Sequence, residues 1–407
     1  MTREDGVTAT EATRDAALRR LGAFQPRMGR DYAELRNFDL GAGAHDHVST
    51  LSPYLRRRLL TERETIAAAL EAHGPEAAGA FIAEVAWRSY FKGWLEQRPQ
   101  VWDAYRDGLA RDLAKLERDA ALRARVAQAC EGRTGIAGFD EWAAELNETG
   151  YLHNHARMWF ASIWIFTLKL PWRLGADFFL RQLLDGDPAS NTCSWRWVAG
   201  LHTRGKHYEA QAANIARFTR GRVQLPEDCL AQATAPLDAP LPERQALRPV
   251  SAPRDGVPTL LLLTEEECQL SDFAPERLDL RGVLGLKASA LRSPLPVAQA
   301  VCRFEAAALE DSAGRLGAEP AWDAAGDPVG LVRHAQAVGA AQIATGYIPT
   351  GPLHDWITAA SPALEAAGIA LTEWRRDWDA LVWPHATAGF FKLRKQLPHI
   401  LSQAGLT

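Results

Sequence analysis

The stretch Leu184-Asp185-Gly186-Asp187-Pro188-Ala189-Ser190-Asn191-Thr192-Cys193-Ser194-Trp195-Arg196-Trp197 carries the decisive pattern of this chain. Two carboxylates and an amide crowd into a tight turn, and a pair of tryptophans follows. A calcium loop is one reading of the acids, but an EF-hand needs Glu at its twelfth position. Counted from Asp185, that position is Arg196. Asp187 as the N-cap of a helix opened by Pro188 is a second reading. A third has these acceptors facing an imide N–H or ribose hydroxyls of a ligand. The stretch by itself leaves all three open.

Working outward, residues 1–222 read as helices. Ser52-Pro53 is a good cap for a helix from Tyr54 to about His73. Gly74-Pro75 breaks it, and a second helix runs through Trp94. On that second helix Glu84, Trp87, Arg88 and Phe91 share a face, where a Glu84–Arg88 surface pair beside two core aromatics is the plainest account. From Thr149 to Leu170 the chain is apolar on nearly all sides, as a central buried helix would be, until Pro171 stops it. Asn154, Arg157 and Met158 lie on one face there, and a buried Asn and Arg require polar partners, from protein or ligand. His153 and His155 point apart on a helix and make no natural metal pair. A further helix follows from about Leu174 to Leu184.

Residues 223–256 are rich in Pro and Ala with weak periodicity, as in an interdomain linker. Beyond it, short apolar strands (Thr259–Leu263, Gly282–Leu286, Ala340–Ile348 and one starting at Ile369) alternate with helical stretches at Val297–Ala313, Val329–Val338 and Leu353–Ala367. That alternation predicts a parallel α/β layer over residues 257–407. No G-x-G-x-x-G or Walker loop occurs in it.

The 407 residues carry a net charge of −4, so any nucleic-acid contact must come from a local basic patch rather than bulk charge. No run of eighteen apolar residues marks a membrane span, and no secretory signal is evident. The five cysteines are scattered without a Cys-x-x-Cys pair, which fits reduced thiols in the cytoplasm and no metal cluster. The fourteen tryptophans need a core role or an electronic one.

Taken in order, TGYLHNHARM, ASIWIF, LPW and DFFLRQLLDGDPASNTCSWRWVAG resemble the FAD-binding signature of the DNA photolyase/cryptochrome superfamily. Ser49-Thr50-Leu51-Ser52-Pro53, Tyr32 with Arg36-Asn37, Glu84-x-x-Trp87-Arg88 and Gly132-Arg-Thr-Gly135 match further segments of that family across about residues 30–200. The resemblance implies a mainly α fold: an all-helical FAD-binding domain, here followed by a smaller Rossmann-like parallel-sheet domain, the reverse of the family's usual order. Trp383-Pro-His-Ala-Thr-Ala-Gly-Phe-Phe resembles the exit of the family's N-terminal domain.

Carried over by position, Tyr32, Ser49, Thr50, Leu51, Ser52, Arg88, Asn154, Arg157, Asp185, Asp187 and Asn191 would hold FAD. The pyrophosphate would lie at the helix N-terminus near Ser52. Trp195 and Trp172 would be the proximal and middle steps of an electron path. The family's distal tryptophan is missing, with Trp142, Trp159 or Trp164 as substitutes. Glu84, Trp87, Asn154, Met158 and Trp197 would form a lesion pocket, and His-Asn in the central motif favours a cyclobutane dimer substrate. Arg56-Arg57-Arg58 and Arg204-Gly-Lys206-His207 would supply phosphate contacts. The family's C-terminal helices are replaced, which keeps open a cryptochrome-like photoreceptor acting through a signalling partner instead of on damaged DNA. A second, antenna chromophore is left open and is not indicated.

Overall fold

The computed structural model describes residues 10–203 and 205–406. Arg204 lies outside them. Helices occupy the chain from Arg14 to Phe218, and a five-stranded sheet with flanking helices occupies Pro258 to Gln403. The intervening 223–256 segment has no helix or strand. Among the described residues no helix is long and apolar enough to cross a membrane.

The first helical segments differ from expectation in an instructive way. Ser52-Pro53 opens only a short helix, Ser52–Arg56, because Arg58 takes a left-handed backbone at φ +53°. The long helix then starts afresh at Glu62. Its cap is a capping box: Thr61 accepts from the Glu64 N–H, while the Glu64 carboxylate accepts from the Thr61 N–H. It runs to Glu96, and Gly74 (φ +69°, ψ 171°) leaves the helical conformation before Pro75, so the break that the sequence placed there is present. The Thr149–Leu170 stretch is likewise not one helix. Gly150, at φ +67°, ends the helix Ala137–Thr149, and His153 caps a new one, Asn154–Ser162, which passes into a π turn at Ile163–Thr167.

The sheet contains β1 (Pro258–Leu263), β2 (Asp279–Leu286), β3 (Ala321–Asp323), β4 (Gln342–Gly346) and β5 (Ala370–Trp374). All neighbours are parallel, in the order β3-β2-β1-β4-β5. In such a sheet the crevice at the carboxyl ends of β1 and β4 is the usual ligand position, since the strand order reverses there. Here protein fills it. Glu265, Glu266 and Glu267 follow β1, and they meet Arg56, Arg57 and Arg58 from the helical part. After β4, the Tyr347 hydroxyl donates to Glu96, and the Thr350 N–H donates to the same carboxylate at 2.5 Å.

One apolar core therefore runs from the helices into one face of the sheet, and a second lies on the other face against Trp356, Ile357 and Leu364. The C-terminal helices, Asp377–Val382 and Phe390–Arg394, pack on the long helix Glu62–Glu96.

Candidate functional site

Asp185 sits in the turn between the helices Trp172–Gln182 and Pro188–Val198 and is buried. Two other helices deliver cations to it: Arg157 Nη2 lies 3.1 Å and Arg88 Nη2 3.8 Å from its Oδ2. Burial pushes the carboxyl up, but Arg157 and then Arg88, with the Ser52 hydroxyl beside it, outweigh that and hold it below the usual carboxylate range. Arg157 is fixed from behind by its Nε, which donates to the Leu152 carbonyl at 2.8 Å. Glu84 does not pair with Arg88, one turn on; it pairs with Arg36 across the site. That leaves Arg88 free to face Asp185.

Asp187 is the helix cap that the sequence left open, its Oδ1 accepting the Ser190 N–H at 2.7 Å. It is also ringed by Lys92 (3.5 Å) and Arg56 (3.7 Å), which depress its pKa against the effect of burial. The Asn191 amide donates to the Ala176 carbonyl at 2.7 Å. Leu51 is fully buried at the head of the Ser52–Arg56 helix, with Thr50 at φ +50° and the Ser49 hydroxyl accepting the Leu51 N–H.

Two cavities meet at Tyr32. One, of about 270 Å³, is lined by Arg27, Asp31, Tyr32, Leu35, Asp46 and His47. The other, of about 190 Å³, is lined by Glu84, Asn154 and Met158 together with Tyr32, Arg36 and His155. Asn154 is exposed at the first turn of its helix rather than buried. Trp87 and Trp197 line neither cavity: Trp87 stacks on Phe390 at 3.8 Å and 15°, and Trp197 stacks on Tyr208 at 5.7 Å.

The site's polar atoms fit a flavin edge. Asp185 Oδ1 and Arg88 Nη1 are buried with no hydrogen-bond partner. Each such orphan costs ~1–3 kcal/mol unless a ligand meets it. An imide edge, with one N–H donor between carbonyl acceptors, satisfies both.

Trp195 is buried, edge-on to Trp164 at 6.2 Å, and rests on Gly175, where an added Cβ would lie 2.4 Å from its ring. Trp164 is thus the substitute that touches Trp195, whereas Trp142 and Trp159 stack on each other at 5.3 Å. Trp172 leads elsewhere: to Tyr105 at 5.9 Å, which stacks on Trp102 at 5.2 Å. Those two residues escaped the sequence reading. Their signal was Trp102-x-x-Tyr105 at helical spacing.

The arginine run Arg56–Arg58 corrects an expectation. It cannot contact phosphates, because all three guanidiniums are buried. Arg56 donates to Glu266 (2.7 and 2.9 Å), and Arg58 donates to both oxygens of Asp379 (2.8 and 2.6 Å). Arg57 lies 3.2 Å from Glu265 and over the Phe304 ring, and burial lowers its pKa to about 10.

Residues 81–220, which carry Glu84, Arg88, Arg157, Asp185 and Asp187, match the family model of the FAD binding domain of DNA photolyase. This part of the chain is thus similar to the FAD-binding domain of DNA photolyases. The deoxyribodipyrimidine photo-lyase of Thermus thermophilus is 36% identical over 200 residues, 49% of this chain and 46% of that protein. A cryptochrome DASH of Natronomonas pharaonis is 32% identical over 190 residues, 45% of this chain and 38% of its own. The chain thus spans less than half the length of these curated relatives. A bacterial class III photolyase structure from Agrobacterium tumefaciens aligns at 25% identity and TM-score 0.42, covering 51% of this chain and 42% of that one.

This photolyase-type domain also carries two suppressed histidines. Burial lowers His153 to about 4, with His45 and His155 adding to the effect against Asp39. Burial, then Arg196 and Arg98, lowers His202 to about 3, where its Nε2 meets the Tyr90 hydroxyl at 2.9 Å. Their folded pKa values lie below the ordinary 6.5, so the unfolded chain takes up protons that the folded chain refuses. Stability is therefore full above about pH 6.5 and falls as pH drops toward 4. Denaturant midpoints measured from pH 7 to pH 4.5 should decline steadily; a flat profile would rule out buried neutral histidines.

Proposed function

We propose that the chain is a blue-light-driven, FAD-dependent photolyase acting on cyclobutane pyrimidine dimers in DNA, working in the cytoplasm. We divide it into a helical FAD-binding domain (1–222), a linker (223–256) and an α/β domain (257–407). The observation that carries the reading is one shared scaffold. The helices Glu62–Glu96 and Asn154–Ser162 bring Arg88 and Arg157 to Asp185 and also line a single cavity with Glu84, Asn154 and Met158.

In this reading Tyr32, Ser49, Thr50, Leu51, Ser52, Arg88, Asn154, Arg157, Asp185, Asp187 and Asn191 hold the cofactor. When bound, FAD supplies light-excited one-electron chemistry. Asp185, kept ionised by Arg157 and Arg88, accepts the imide N–H. Glu84, oriented by Arg36, offers a carboxylate to a dimer base beside Asn154 and Met158. Trp195 and Trp172 conduct electrons inward, with Trp164 at the edge of Trp195.

One observation favours the alternative, a photoreceptor without repair activity. Phe390 covers a face of Trp87, one of the rings that a flipped base would use. The two readings part in one experiment. The reduced holoprotein is illuminated with blue light in the presence of single- and double-stranded oligonucleotides containing a cyclobutane dimer. Loss of dimers supports the photolyase; full flavin occupancy with no dimer loss in either substrate moves the assignment to the photoreceptor.

A further inference from the structure

With Arg56–Arg58 buried and a net charge of −4, phosphate-binding cations must lie elsewhere. Residues 380–407 contain no Asp or Glu but carry Lys392, Arg394 and Lys395. All three are exposed, and among the described residues none takes part in an ion pair. Beside them Phe391 is 71% exposed, whereas the next large apolar side chain, Leu241, reaches only 45%. On a helical wheel, Phe390 and Leu393 of the Phe390–Arg394 helix, with Leu397 just beyond, form its buried side. Phe391, Lys392 and Lys395 fall on the opposite side.

This is a fixed platform rather than a loose tail. Phe390 stacks on Trp87, the Tyr90 hydroxyl donates to the Ala388 carbonyl at 2.7 Å, and Arg98 donates to the Thr387 carbonyl at 3.0 Å. Every anchor reaches the long helix Glu62–Glu96 or its end, the same helix that carries Glu84 and Arg88. An outward aromatic ring among unpaired cations is the combination that binds single-stranded nucleic acid, because only an unstacked base presents a free face to it. A membrane surface calls for a broad apolar face, and this helix shows a single exposed aromatic.

We propose that the Phe390–Arg394 helix is a contact for single-stranded or locally unstacked DNA: Phe391 stacks on a base, while Lys392, Arg394 and Lys395 hold the flanking phosphates. The proposal rests on the reading of the chain as a DNA-acting photolyase and adds a basic surface to it.

The test uses the holoprotein and fluorescence anisotropy with a labelled single-stranded oligonucleotide across a salt series. The triple variant K392A/R394A/K395A should flatten the slope of log affinity against log salt by about 2, at about 0.7 per lost phosphate contact. Phe391→Ala should weaken binding roughly 5- to 150-fold with the slope unchanged. Both variants should keep the parent's flavin content, since these side chains face solvent. Parent-like affinity and slope in both variants overturn the proposal. So does binding to phosphatidylserine vesicles that Phe391→Ala abolishes while oligonucleotide binding stays intact. A parent protein that binds no oligonucleotide overturns the proposal and the repair reading together. Binding that depends on these residues without any dimer loss under light supports the contact and removes only the repair reading.

Discussion

Asp185→Asn is expected to weaken FAD binding roughly 10- to 150-fold, the equivalent of one charge-assisted hydrogen bond of ~1.5–3 kcal/mol. The substitution keeps the side chain's shape and removes only its charge. Two buried or half-buried guanidiniums, Arg157 at 3.1 Å and Arg88 at 3.8 Å, then face an amide that neutralises neither. The acceptor offered to the imide N–H weakens at the same time. The native carboxylate is depressed by those arginines, so it stays charged throughout the neutral range and loses its charge only below the usual carboxylate range. Titration of the apoprotein with FAD, followed by flavin fluorescence, measures the effect. An unchanged dissociation constant would remove Asp185 from the cofactor contact.

Arg58→Leu is expected to cost about 3–5 kcal/mol of stability, the usual result of stranding one side of a buried ion pair. Arg58 donates to both oxygens of Asp379 and to Glu267 at 3.3 Å, and its Nε is 3.8 Å from Glu62. Without it Asp379 and Glu62 lose their guanidinium in the core, while Glu267 keeps Arg376. Burial already raises the Asp379 pKa and Arg58 opposes that rise, so loss of the cation should drive the acid toward its neutral form. Guanidinium denaturation should show a lower midpoint. The double variant Arg58→Leu/Asp379→Leu should recover part of the loss, since an apolar pair replaces the ionic one at less cost than a lone charge. A midpoint within error of the parent would mean that the pair is solvated.

The cofactor motif was legible in the sequence because its parts are short, ordered and local: Asp185, Asp187, Asn191 and Trp195 lie within eleven residues. Arg157 was expected to need a polar partner, and the fold gives it Asp185. What could not be read was pairing over distance. Glu84 with Arg88 is the obvious local pair, yet the fold gives Glu84 to Arg36. Arg56-Arg57-Arg58 reads as a solvated basic run because such residues are seldom buried unless paired. Their partners lie more than two hundred residues away, at Glu265, Glu266 and Asp379. The apolar Thr149–Leu170 stretch looked continuous, but the left-handed backbone at Gly150 and the π turn at Ile163–Thr167 divide it. In the sheet, β3 went unnoticed because its three residues, Ala321–Asp323, are too short to show a period.

The arginine–glutamate core at the crevice of the sheet has a consequence for how the chain can vary. The attitude of the sheet toward the helices is fixed by Arg56, Arg57, Arg58 and Glu96 meeting the loops after β1 and β4, and residues 223–256 add bonds to both parts: the Gln245 N–H donates to the Gln97 carbonyl, and Arg248 pairs with Glu373. The connecting segment is fastened to the helices and to the sheet at several points rather than hanging as a loose tether. Substitutions at its exposed, unbonded positions leave the geometry around Asp185 intact, whereas insertions or deletions would pull these bonds out of register. The three arginines have no such latitude, since each change must be answered by its partner acid far along the chain.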